Sequence, residues 1–472
     1  MATRRNLDRI EETQDGLANL RTRVATWFGD RRDRDTLRQY WTQLGGLERV
    51  LMPSIERVQG DIDKIRDLTQ TGEVHAACRR NDQRVNLIDR YWRYFSDKWD
   101  QRDDEEVGHT LLAADEVVWS CWATPFAVAG DAVAAAPLPY LEPFYTPRAI
   151  PRTRPPQDFK RADELLRSAL ATLPVPLVGL PPVVHPRPWW LAAVAHETGH
   201  HIQRDFSGGV FYTGLAQAIE AAAVSARAEP GSWKRWHEEI FADTCSVLLL
   251  GPAAAMATAE MLRTSDASML AEELAEDRAY PSAFVRQQLM DEVLSAAGSP
   301  PEARVPAFWP DGLDDFQLDP ADEHLRARAR ARANAVKRVA AELNSRLLGA
   351  HDPLPAICGW KASRYTPEGE VQYWCDELLR DDGMEPVPET EPHTARTALA
   401  GGVAAWQVIG TNDDDAWRTE ARGRLAARLR KLLPLCRPLG KRAGPETPPL
   451  DVQEAGNALT GVLFGEALEA DL

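Results

Sequence analysis

Cysteine is scarce. The six residues in 472, Cys78, Cys121, Cys245, Cys358, Cys375 and Cys436, are scattered, and no pair stands in C-x-x-C spacing. That spacing excludes a zinc knuckle or a dithiol redox motif and reads as the reduced, mostly structural thiols of a cytosolic chain. No apolar segment follows the arginines of MATRRNLDRIEETQDG, so no signal peptide is expected. Long apolar runs are missing too. The longest uncharged stretch near the central histidines, TCSVLLLGPAAAMATA from Thr244 to Ala259, falls short of the ~20 residues that span a bilayer and is broken at Gly251-Pro252. It reads as a buried helix followed by a turn. Positive excess is absent as well: a net charge of −16 gives no basic footprint for nucleic acid. The expectation is a soluble, cytoplasmic protein with neither a nucleic-acid nor a membrane partner. No internal repeat is evident.

What remains is an ordinary globular composition, 44% hydrophobic and 27% charged, in a chain long enough for two or three domains. Residues 1–110 read as a helical N-terminal domain of two or three long helices. Leu17, Leu20, Val24 and Trp27, and likewise Ile62, Ile65 and Leu68, recur at spacings of three and four. Prolines then cluster in PLPYLEPFYTPRAIPRTRPP and in LPVPLVGLPPVVHPRP. Between these runs Asp158 to Leu173 predicts an amphipathic helix. Pro174 to Val184 predicts a short strand, better suited to the edge of a sheet than to its centre because proline lacks a backbone donor.

A helix from about Trp189 to Arg204 ends at the Ser207-Gly208-Gly209 turn signal. Further helices are predicted over 213–228, 232–250, 252–263, 267–276 and 281–297. The proline-bearing, acidic run SPPEARVPAFWPDGLDDFQLDP sets off a mainly helical part, 301–472. Within it His324 to Arg338 is conspicuously basic. A helix spreads alternating Arg-Ala around its cylinder, which favours a solvated helix over a docking site for an acidic partner.

The chemistry concentrates in AAVAHETGHHIQ. His196 and His200 stand at i and i+4, so on a helix both imidazoles leave one face and can share a metal ion. Glu197 lies beside the first of them, where a carboxylate can reach a metal-bound water, take its proton and later pass that proton to a leaving amine. Gly199 costs helix stability within the motif, which makes sense if something approaches the backbone closely there.

A catalytic site of this kind takes three protein ligands. The run WHEEIFADTCSVLLL offers Glu239 as the third, with Asp243 one turn on to accept a hydrogen bond from a ligand histidine. Glu238 and His237 are rivals. Glu238 has Ala242 four positions later instead of an acid, and on a helix His237 faces away from Glu239. His201 points elsewhere and reads as a surface residue or as one that supports a ligand from behind.

A third segment, AEDRAYPSAFVRQQL, completes a likeness. His196-Glu197-x-x-His200, Glu239-Ile240-Phe241-Ala242-Asp243 and Tyr280-Pro281-Ser282-Ala283-Phe284-Val285-Arg286 together resemble the gluzincin peptidases over about residues 160–300. The nearest likeness is to the branch of the CAAX prenyl endopeptidase and its bacterial membrane relatives. That branch carries H-E-x-x-H, E-x-x-A-D, and H-P-S/P followed by arginine, so tyrosine stands here in place of its histidine. The resemblance implies a Zn2+ cofactor and Tyr280 and Arg286 as oxyanion stabilisers, a role open to tyrosine because its hydroxyl donates. It also implies a zincin-like metallopeptidase core at 111–300, with the 174–184 strand beside the cleft and a substrate peptide adding to the sheet edge. Most of that branch is membrane-embedded and this chain lacks the spanning helices, so the likeness points to gluzincin chemistry and not to prenyl-protein processing.

The fold expected is therefore mainly α, with an α+β core bearing a small edge sheet between helical N- and C-terminal domains. The function expected is a zinc peptidase acting on a peptide or protein substrate, with Glu197 as base. A non-catalytic zinc-stabilised scaffold or interaction protein is one alternative. A partner-regulated cytosolic protease of a stress or phage-defence system is another, its partner held by the helical flanks.

Overall fold

The computed structural model describes the chain except residues 1–3, 34–39, 132, 154–163, 229–230, 266–267, 269–271, 273–277, 301–322, 348–349, 381–393, 437–441, 443–449, 466–467 and 469–472. The described part is mainly helical with one small mixed sheet. No helix among the described residues is long and apolar enough to cross a membrane.

Three long helices open the chain: α1 (Arg4–Asp33), α2 (Trp41–Ile65) and α3 (Thr71–Asp100). Their apolar stripes meet in one core, where Leu17, Leu20, Val24 and Phe28 lie against residues such as Ile55, Tyr91 and Phe95. Helix α4 (Gly108–Ala129) follows and ends at Gly130, whose φ of 75° supplies the left-handed C-cap that glycine adopts without strain.

The proline-rich region then builds the sheet. Strands β1 (Leu138–Leu141), β2 (Arg148–Ile150) and β3 (Leu177–Leu180) lie in the order β1-β3-β2, with β1 parallel and β2 antiparallel to β3. The strand expected at 174–184 is thus the central one and not an edge. Its prolines, Pro174, Pro176, Pro181 and Pro182, all flank the four-residue core Leu-Val-Gly-Leu, and that core keeps every backbone donor. A short helix α5 (Glu164–Ala169) occupies part of the span expected for Asp158 to Leu173, and the first half of that expectation lies outside the described residues.

The sheet separates two cores. Leu177 of β3 faces the N-terminal helices, while Val178 and Leu180 face the larger core behind the sheet. Burial on both faces explains why β3 reads as a continuous apolar run.

The outer edge of β1 is covered. The Gln101 side-chain amide donates to the Leu141 carbonyl at 3.0 Å and accepts from the Leu141 N–H at 2.7 Å. Arg102 donates to the Pro139 carbonyl at 2.8 Å. Pro139 has no N–H to satisfy. The β2 side of the sheet borders an open cleft.

Beyond the sheet come α6 (Val194–Asp205), α7 (Val210–Ser225), α8 (Ser232–Arg235), α9 (His237–Leu250), α10 (Pro252–Leu262) and α11 (Ala283–Ala296). The helix expected over 267–276 falls almost wholly outside the described residues. Helix α9 is buried from Ile240 to Leu250, which accounts for its uncharged run, and Gly251 breaks it with a φ of 67°. Helix α12 (Glu323–Ser345) holds the basic run and sinks Ala335, Val336, Val339 and Leu343 into the larger core. The chain continues through α13 (Leu354–Ile357), α14 (Glu370–Leu379), α15 (Thr394–Gly410), α16 (Asp415–Leu432) and α17 (Leu450–Leu463). Helices α15 and α16 share the larger core, whereas Ala455 and Leu459 of α17 return to the N-terminal one. All six cysteines are buried and unpaired.

Candidate metal centre

Helices α6 and α9 pack side by side at close range because α6 carries glycine at the contact. A Cβ built on Gly199 would lie 3.0 Å from Ala242 Cα and 3.3 Å from Cys245 Cβ. This close approach brings three potential ligands together. The Nε2 atoms of His196 and His200 are 3.2 Å apart. His196 Nε2 lies 3.3 Å from Glu239 Oε2, and His200 Nε2 lies 3.5 Å from Glu239 Oε1. Ligand atoms held about 2.0–2.1 Å from a tetrahedral zinc stand roughly 3.3–3.4 Å apart, so these separations suit that ion. The set of two imidazole nitrogens and a carboxylate oxygen suits it chemically as well.

Asp243, one turn beyond Glu239, is fully buried and accepts from His196 Nδ1 at 2.9 Å. That bond orients the ring with Nε2 toward Glu239. Arg286 on α11 closes the arrangement with a two-pronged contact on Asp243, Nε at 2.8 Å from Oδ2 and Nη2 at 2.7 Å from Oδ1. Its Nη2 also lies 3.5 Å from Glu239. Burial opposes the charged form of both carboxyl groups, yet both are held below the usual range, Glu239 chiefly by His196 and His200 and Asp243 chiefly by Arg286 and His196.

Burial disfavours charge on both histidines. For His200 burial prevails and pulls the pKa down to about 4, whereas on His196 the bonds to Asp243 and Glu239 outweigh it and raise the pKa to about 10.

Glu197 is buried at the floor of the cleft. Burial pushes its carboxyl up to about 7 and Glu239 adds to this, while His196 and the backbone N–H of Ala149 oppose it. The Ala149 contact brings β2 to the motif helix. It is β2, not β3, that lies beside the cleft, through Arg148 and Ala149. The cavity is open and measures about 620 Å³, within the range of small-ligand and peptide sites.

The structure thus gathers His196, Glu197, His200, Glu239, Asp243 and Arg286 into one cluster. Tyr280 is apart from it: it lines the cleft, 60% exposed, and among the described residues it makes no hydrogen bond. The rivals for the third ligand position are engaged elsewhere. Glu238 accepts from Arg204 at 2.7 Å, and His237 Nδ1 meets the Lys234 carbonyl at 2.9 Å. His201 is not a surface residue. It is fully buried, its Nε2 lies 3.1 Å from the Leu177 carbonyl of β3, and burial keeps it neutral with a pKa near 3.

The sequence reading missed β2, whose three residues sit within a proline cluster and show no alternation. It also missed Arg152, buried just beyond β2. Arg152 donates to Asp205 at the end of α6 (3.1 Å) and to the carbonyls of Pro174 and Ala135 (both 2.6 Å), which ties the sheet to the motif helix. One of two arginines between prolines, in PRTRPP, carries no sequence signal for that role. In comparisons with protein families, curated proteins and solved structures, nothing matches this chain.

Proposed function

We propose that this chain is a zinc-dependent peptidase with a zincin-like core, cleaving a peptide or protein substrate in the cleft beside β2. The observation that carries the reading is the convergence of the His196, His200 and Glu239 ligand atoms within 4.8 Å of one another, with Glu197 beside them and open space in front. His196 and His200 would hold the ion through Nε2 and Glu239 through its carboxylate. When bound, zinc supplies Lewis acidity, which acidifies water and polarises a carbonyl. A zinc that merely tied α6 to α9 would need neither a buried carboxyl beside its ligands nor a cleft.

The protein's own groups divide the remaining work. Glu197, with its pKa raised by burial, accepts a proton from water in the cleft and returns it to the departing amine nitrogen. Asp243 holds His196 in one orientation, and Arg286 compensates the charge of Asp243. The Asp243 contact engages Nε and Nη2 of Arg286, and Arg286 lines the cleft. Its guanidinium and the Tyr280 hydroxyl are the groups offered to the oxyanion. The substrate backbone pairs with the edge of β2.

Elemental analysis of wild type beside Glu197→Gln and Glu239→Ala tests the reading, with proteolysis measured on the same samples. The expected result is about one zinc per chain, kept in Glu197→Gln, weakened in Glu239→Ala, and cleavage lost in both. Carefully purified wild type without zinc would overturn it.

A further inference from the structure

The cleft is lined by charged and by apolar side chains. Arg204, Arg235 and Glu238 are among the charged ones, and Arg204 is already engaged with Glu238 at 2.7 Å. An apolar wall is formed by Met261 and Leu262 in the last turn of α10 together with Ala279 and Tyr280 ahead of α11. This wall has its own support. Ala259, Ala283 and Phe284 form a separate buried cluster behind it, and Leu262 packs on that cluster. Tyr280 stays 60% exposed, and in the connection from β1 to β2 Phe144 and Tyr145 are 47% and 78% exposed. That connection runs directly into Thr146 and Pro147, which line the cleft. Aromatic and aliphatic surface left in water beside a cleft favours an apolar occupant.

Resting on the peptidase reading above, we infer that the cleft selects an extended peptide bearing a large apolar or aromatic residue beside the scissile bond. That side chain seats against Met261, Leu262 and Tyr280. An ionic side chain gains less at this wall, because it loses water against apolar side chains. The substrate class is therefore apolar-rich, extended chain, as presented by unfolded segments.

Full-length, zinc-loaded protein is incubated with a degenerate peptide mixture, and the cut positions are read by mass spectrometry. Wild type is expected to cut mainly next to Leu, Met, Phe or Tyr on one side of the bond. Leu262→Glu is expected to lower that preference, relative to Lys at the same position, by about tenfold or more, since pocket contacts of this size discriminate by roughly 10–200-fold. Met261→Glu, at a half-exposed position, serves as the second variant and is expected to act in the same direction. Cuts distributed without regard to apolarity, or an unchanged profile in both variants, would overturn this inference alone. No cleavage of any peptide by zinc-loaded wild type would overturn the peptidase reading and this inference with it.

Discussion

Gly199 of the motif helix lies directly against Ala242 of α9, so that a methyl group at position 199 would stand 3.0 Å from Ala242 Cα and 3.2 Å from its carbonyl oxygen. Neither atom can give way without moving a helix backbone. Alanine gains about 1 kcal/mol over glycine in helix propensity, but overpacking a fixed contact costs about 1–3 kcal/mol. Gly199→Ala is therefore expected to lower the unfolding free energy in urea and to weaken zinc retention, because α6 and α9 carry the ligands. A Gly199→Ala protein more stable than wild type would show that the two helices are not held at this spacing.

Asp243 accepts from both His196 and Arg286. Asp243→Asn keeps the shape, removes the charge and leaves a buried guanidinium without its carboxylate. Loss of a carboxylate behind a metal-bound histidine typically costs 10–100-fold in metal affinity. The same range is expected here in a competitive chelator titration. Affinity unchanged within twofold would mean that the His196 contact does not orient a ligand.

Tyr280→Phe separates the two roles given to that residue. The ring remains for the apolar wall and the hydroxyl goes. With zinc content unchanged, kcat/KM is expected to fall by at least tenfold, toward the 10²–10³ seen when an oxyanion donor is removed elsewhere. An unaltered kcat/KM would assign the oxyanion to Arg286 alone.

Lys98 offers a test by pH away from the cleft. Its ammonium lies over the Tyr94 ring, and burial pulls its pKa down from 10.5 to about 8, with Arg148 adding to that and Asp97 and Glu142 opposing. Below about pH 8 the lysine is charged in both folded and unfolded chains, and the cost of burying that charge is fully present. Between about 8 and 10.5 the folded state releases the proton while the unfolded state keeps it, so stability rises with pH. Wild type is expected to gain on Lys98→Met, by up to about 3 kcal/mol, between pH 7.5 and 10 in urea unfolding. A difference between the two that stays constant across this range would sink the assignment.

How much of this was legible in the sequence depended on the length scale of each signal. The N-terminal helices repeat their apolar positions over several turns, so their periodicity is plain, whereas α9 shows itself as an uncharged run buried on every side. The i, i+4 histidines lie on one helix, and a helix fixes their common face from sequence alone. The reason for Gly199 was half legible: its cost implied a close neighbour, but only the fold names Ala242. The sheet was hidden because its strands are three or four residues long and are flanked by proline. Counting those prolines against the 174–184 strand put it at the edge, although all of them fall outside the paired Leu177–Leu180 segment. His201 was misjudged because its neighbours come from β3, 24 residues earlier in the chain, and local helix geometry says nothing of a carbonyl brought in from there.

The Gln101 side chain occupies β1 as a further strand residue would, taking both backbone groups of Leu141, while Arg102 takes the carbonyl of Pro139. A three-stranded sheet ordinarily has two sides on which it can grow, and a unit with two such sides can chain into a filament. Here one side is closed by covalently attached side chains that no dilution removes. Among the described residues the β1 side of the sheet is therefore closed to an incoming strand, while the β2 side borders the cleft, and a second copy of the chain cannot extend the ribbon through β1.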